Sequence, residues 1–141
     1  MIARRILAGS IFLACIAAQG EPPNPKIVER YKQMLAARPT EGTALDRLWQ
    51  MFLEQNPTVE LIDEYKADGT FASEMVLGQL LRKVARIEDA GAAFERAAKL
   101  DEKSALPWLA LARLRGESGA RKLAAEAYEN ALALLPGNIH L

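Results

Sequence analysis

The sequence predicts an all-α fold, with antiparallel helix pairs stacked into an α-solenoid of about two clear and one or two degenerate repeats. Three observations carry that prediction. After Gly20 no stretch alternates apolar and polar side chains for long, and Ala, Leu, Glu, Lys and Arg dominate, which is helix-forming chemistry. Pro, Gly, Asn and Ser punctuate the chain at places suited to helix starts and stops. Residues also return in register at a spacing of 34.

Residues 1–20 stand apart from this pattern. Arg4 and Arg5 precede an uncharged run from Ile6 to Ala18, thirteen residues long, whereas a membrane-spanning helix needs roughly 20. A positive start, a short apolar centre and small residues at the end make a secretory signal peptide. Ala18-Gln19-Gly20 places small residues at both recognition positions, so cleavage is expected after Gly20. Leu13-Ala14-Cys15 leaves acylation of Cys15 open as a lipoprotein alternative, although Phe12 stands where such motifs carry Leu. An exported chain, periplasmic or secreted, is the expectation. Its mature form would carry 16 basic and 18 acidic residues and no thiol, which suits an oxidising compartment.

The helices follow in order. Asn24-Pro25 starts the first, over 25–37, because Asn caps and Pro has no amide hydrogen to leave unpaired. The second is expected over 41–55. Asn56-Pro57 repeats the capping device for a third over 57–67. Gly69-Thr70 reads as a stop followed by a cap, opening a helix over 71–84. Helices over 87–100, 105–116 and 120–134 complete the set, punctuated by Ser104, Gly119 and Pro136-Gly137. Connections this short force neighbours to pack antiparallel.

The repeat is explicit in residues. Leu77 returns as Leu111, Leu80 as Leu114, Ala90 as Ala124, Ala93 as Ala127, Phe94 as Tyr128, Ala97 as Ala131 and Leu100 as Leu134. Gly78 with Ala112, and Ala85 with Gly119, add small residues at matching places. Leu77, Leu80, Leu81 and Val84 share one helix face, and Ala90, Ala93, Phe94 and Ala97 share one on the next. The alanines let backbones approach, while Phe94 and Tyr128 are expected to fill the space between pairs. One helix pair cannot hide its apolar face alone, so stability should be nearest-neighbour in character.

These residues resemble the tetratricopeptide repeat family. Residues 105–138 match through Trp108, Leu111-Ala112, Ala124, Tyr128, Ala131 and Pro136, and depart at Arg115, where a large aromatic is usual. Residues 71–104 match through Leu77-Gly78, Leu81, Ala90, Phe94 and Ala97. They depart at Glu74, in place of the aromatic, and at Glu102, in place of Pro. Residues 21–70 hold degenerate helical repeats: Leu48-Trp49 and Phe52 resemble a first helix, Tyr65 the second-helix aromatic, and Tyr31, Leu35 and Pro39 the end of an earlier unit. Residues 139–141 form a tail or the truncated start of another repeat. The resemblance implies a concave groove lined by first helices, which would receive Asp46 and Gln50, then Met75, Gln79 and Arg82, then Leu109 and Arg113. Arg82 and Arg113 there would suit an acidic peptide or a chain-terminal carboxylate.

Other function classes find little material. Eighteen basic and eighteen acidic residues, with a pI near 6.6, give no electrostatic footprint for nucleic acid. One Cys and one His, His140, supply neither a metal pattern nor a nucleophile with its base, so no catalytic, cofactor-binding or metal site is assigned. Glu60, Asp63 and Glu64 read as a solvated face, and Glu88-Asp89 as favouring the positive end of a helix dipole. Trp49 and Trp108 read as core.

A non-catalytic scaffold binding a protein or peptide is therefore the expected function, with a structural subunit anchored in an envelope complex as the alternative. Contact with a membrane would come only through the signal segment or an acylated Cys15. Asn138-Ile139-His140-Leu141 begins what reads as another first helix. That leaves a fragment of a longer array, or self-association through an uncapped last repeat, as further expectations.

Overall fold

A computed structural model describes residues 22–54 and 58–135. The expected signal peptide, Cys15, the Asn56-Pro57 cap, Pro136-Gly137 and residues 139–141 lie outside the described residues. Seven α-helices follow one another: α1 (Pro25–Ala37), α2 (Thr43–Leu53), α3 (Thr58–Asp68), α4 (Phe71–Lys83), α5 (Ile87–Leu100), α6 (Leu106–Glu117) and α7 (Arg121–Leu134). They pack as successive antiparallel pairs in an all-α, tetratricopeptide-like solenoid. α4 lies on α5, α5 on α6 and α6 on α7, while α3 leans on α4 from the other side.

Local chemistry accounts for the helix starts. The Asn24 side chain accepts a hydrogen bond from the Lys26 amide at 3.0 Å, ahead of Pro25 in the first turn. Thr70 and Ser73 form a reciprocal capping box. Thr70 Oγ1 accepts from the Ser73 amide at 3.2 Å, and Ser73 Oγ accepts from the Thr70 amide at 2.7 Å. Glu88 and Asp89 occupy the first turn of α5, where negative charge faces the positive end of the helix dipole.

The two clear helix pairs turn in the same way. After α4, the Arg86 amide donates to the Leu81 carbonyl at 2.9 Å and the Ala85 amide to the Arg82 carbonyl at 3.0 Å. After α6, the Ala120 amide donates to Arg115 at 2.8 Å and the Gly119 amide to Gly116 at 3.1 Å. Each bond has its counterpart 34 residues on. Both turns need a left-handed residue, supplied by Gly119 at φ 82° and by Ala85 at φ 59°.

Burial follows most of the repeat, but Val84, Leu100 and Tyr128 are exposed. Leu77, Leu80, Leu81, Ala90, Ala93, Phe94, Ala97, Leu111, Leu114, Ala124, Ala127 and Ala131 are buried. α4 is the central helix and is buried on all sides from Ser73 to Leu81, so it shows no single apolar stripe. Trp49 and Trp108 are half-buried against the core. One correction concerns Tyr128. Phe94 has none of its surface exposed, whereas Tyr128 exposes 48 % of its own and fills no space between pairs. The Phe94 ring packs against Gly78 of α4, whereas among the described residues no helix follows α7 to cover Tyr128.

The amino-terminal helices depart from regular stacking. α1 packs on α2 but also reaches α4, and Lys32 of α1 pairs with Glu64 of α3 at 2.6 Å. α2 begins at Thr43, not at residue 41, because Gly42 takes φ 146°. That leaves Glu41 in the α1–α2 connection and outside the helix. Glu74, at a place the family fills with an aromatic, is buried and held by Arg96 of α5, whose Nε donates to Oε1 at 3.0 Å.

Candidate functional site

The residues expected to line a groove lie mainly on α4 and α6. Met75, Gln79 and Arg82 lie at i, i+4 and i+7 on α4, and Leu109 and Arg113 at i and i+4 on α6, so each set projects from one helix face. Met75, Gln79, Leu109 and Arg113 line a single cleft of about 220 Å³ together with Leu106 and Ala110. The other wall of that cleft is Thr40 and Glu41, from the α1–α2 connection.

Arg82 lines a neighbouring cleft of about 410 Å³, with Gly42, Leu45, Asp46 and Lys83, and this cleft shares Glu41 and Gln79 with the first. The Arg82 guanidinium is a hub. Nε and Nη2 donate to the two carboxylate oxygens of Glu117 at 2.8 and 2.9 Å, a fork-to-fork pairing. Nη1 donates to Glu41 Oε1 at 2.7 Å and to Gln79 Oε1 at 3.2 Å. The hydrogen bonds to Glu117 raise the Arg82 pKa above its ordinary value against the opposing effect of burial, and the Glu41 charge adds to the rise.

Arg113 Nη1 lies 2.8 Å from the second oxygen of the same Glu41 carboxylate. Glu41 thus spans two arginines from two successive repeats, one oxygen to each. Arg113 has 57 % of its side chain exposed and Arg82 27 %, so the first pair is solvated and the second half-enclosed. Lys83 and Asp46 close the end of the neighbouring cleft at 2.7 Å.

Gln50 is not brought to this place. It lies exposed a turn beyond Asp46, and its amide donates to Glu54 at 3.2 Å in the same run of chain. Sequence reasoning missed Glu41 and Glu117. A signal for the first was present in Thr40-Glu41-Gly42, since a glycine after Glu41 is a stop as much as part of a helix. No signal for Glu117 exists, because its role follows from the tertiary approach of the end of α6 to Arg82.

A larger cavity of about 510 Å³ lies between α1, α3 and α4. Tyr65 lines it, and its hydroxyl is buried with no hydrogen-bond partner among the described residues. Burial, followed by the negative charges of Glu64, Asp68 and Glu29, pushes its pKa up to about 12. Among the described residues no three His, Cys, Asp or Glu side chains converge in a way that could hold a metal, and no helix is long and apolar enough to cross a membrane.

No protein-family model matches the chain, and no curated protein matches it. The chain is similar in fold to the crystal structure of MamA, with a TM-score of 0.54 and 24 % sequence identity. The superposition covers 79 % of this chain and 68 % of that one. At that identity the likeness speaks to the fold, which is the helical-repeat fold of the tetratricopeptide type.

Proposed function

We propose that the chain is a non-catalytic, exported scaffold that binds a protein or peptide partner along the cleft side of α4 and α6. The observation that carries this reading is the convergence of Met75, Gln79, Leu109 and Arg113 on one cleft. An apolar floor with a few placed polar groups suits an extended peptide better than a reaction. Export rests on the composition of residues 1–20, and the mature terminus decides it: mass spectrometry should find a start at Glu21, whereas an acylated Cys15 would favour the anchored alternative.

The test of binding uses residues 21–141 immobilised beside the Leu109→Lys, Arg113→Glu double variant. Both side chains are exposed, so the fold should be unaffected. Arg82 is left alone because it ties Glu117 and the α1–α2 connection together. A partner recovered on the wild-type chain and lost on the variant, at equal thermal stability, supports the reading. Equal recovery on both would place binding elsewhere.

A further inference from the structure

We propose that the α1–α2 connection is an internal plug. Glu41 occupies a carboxylate subsite between Arg82 and Arg113, and a partner segment carrying an acidic side chain among apolar residues binds by displacing it. This inference rests on the interaction reading above and adds to it both the ligand chemistry and the competitor.

The geometry of Glu41 is that of a bound ligand. Its two oxygens are shared between guanidiniums on α4 and α6, at 2.7 and 2.8 Å. It reaches them from the short turn between α1 and α2, where the Thr40 amide donates to the Arg38 carbonyl at 2.8 Å and Gly42 reverses the chain. Thr40 and Glu41 also line the cleft beside Met75, Leu106 and Leu109, so a ligand that displaced the connection would meet apolar surface next to the two arginines. The arginines differ in what they would lose. Arg82 keeps its bidentate Glu117 partner when Glu41 leaves, so its Nη1 stays held at the carboxylate position. Arg113 stands solvated and free to close on a new carboxylate.

The plug is weak enough to be displaced. Exposed ion pairs each contribute only a factor of about 1.5 to 5 to an equilibrium. A tethered carboxylate nevertheless competes at an effective concentration on the order of millimolar. Removing it should therefore raise the affinity of a competing ligand by about tenfold.

The experiment compares the wild-type chain with Glu41→Gln, and with Glu41→Ala as a second variant, after thermal melts establish that all three fold. Fluorescence polarisation would measure three labelled probes: end-blocked Leu-Thr-Glu-Leu-Leu, the same blocked peptide with Gln in place of Glu, and Leu-Thr-Gln-Leu-Leu with a free carboxyl terminus. The glutamate probe should bind both variants about tenfold more tightly than wild type. The blocked glutamine probe should show no such gain, and adding Arg113→Gln to Glu41→Gln should erase it.

Equal affinity of all chains for the glutamate probe, including no binding by any, overturns the proposal. An equal gain for the blocked glutamine probe does so too, and a gain confined to the free-terminus probe overturns the assignment to an acidic side chain. A partner captured equally by wild type and Glu41→Gln but lost on the Leu109, Arg113 variant would also overturn the plug while leaving the scaffold standing.

Discussion

Gly78 lies directly beneath the ring of Phe94, so close that a methyl group there would sit 2.7 Å from Cδ1. The glycine lets the ring enter the space between α4 and α5, and no other residue type fits without moving it. At the matching pair in the next repeat, Ala112 carries the methyl and Tyr128 stands half out of the fold. Gly78→Ala should cost about 1–3 kcal/mol by overpacking. Phe94→Ala should cost about 3–5 kcal/mol. Tyr128→Ala, for all its equivalence in sequence, should cost under about 1 kcal/mol. Urea unfolding of the three variants checks this order, and equal losses at positions 94 and 128 would contradict it.

The left-handed turn residues offer a second comparison. Ala85 takes a conformation that disfavours any side chain, whereas Gly119 takes it freely. Ala85→Gly should stabilise the chain by about 0.5–1 kcal/mol, the relief of the backbone exceeding the entropy that glycine adds to the unfolded state. Gly119→Ala should destabilise it by a similar amount for backbone reasons alone, because nothing lies within 4 Å of the added methyl. Thermal melts showing both changes in the same direction would refute the shared turn geometry.

Tyr65 carries a pH prediction. Its pKa is pushed up to about 12 from an ordinary value near 10, so the unfolded chain loses the phenolic proton first. Stability present below pH 10 is then lost as pH rises toward 12. The group is partly solvated, so the loss should be about 1 kcal/mol, well short of the full shift. Tyr65→Phe removes that slope and, because the hydroxyl has no partner among the described residues, should leave neutral-pH stability unchanged or raise it by up to about 1 kcal/mol. Urea midpoints of both chains between pH 8 and 12 measure the difference, and a lower midpoint for Tyr65→Phe at neutral pH would contradict the unpartnered hydroxyl.

Arg82 and Arg113 should separate in their effects. Arg82→Gln breaks the fork with Glu117 and one arm of Glu41, and should lower stability by about 1–2 kcal/mol. Arg113→Gln loses one solvated pair and should stay within about 0.5 kcal/mol of wild type. Denaturation of the two single variants decides it, and equal losses would contradict the hub role of Arg82.

Much of this fold was legible because its signals are local. Asn24-Pro25 and Gly69-Thr70 mark helix starts that the backbone obeys, and the 34-residue register from Leu77 to Leu134 is built into matching turns. What escaped the sequence depends on the company a residue keeps. Tyr128 repeats Phe94 in pattern, yet burial needs a neighbour on the far side of α7, which no pattern within the helix reports. The grouping of Met75, Gln79, Leu109 and Arg113 followed from repeat spacing, whereas Gln50 failed because α2 does not stack like α4 and α6. Thr40-Glu41-Gly42 could place Glu41 outside a helix but not in a cleft, since only the fold-back of α1 and α2 brings its carboxylate to arginines in two later repeats.

The most direct test places a photo-crosslinking side chain at Leu109, in the cleft, and separately at Leu123, equally exposed on α7, and irradiates the chain in its native host. A crosslinked partner at position 109 and none at 123 is the expected result. Crosslinks at 123 alone, or at neither position, would contradict a binding role for the cleft side of α4 and α6.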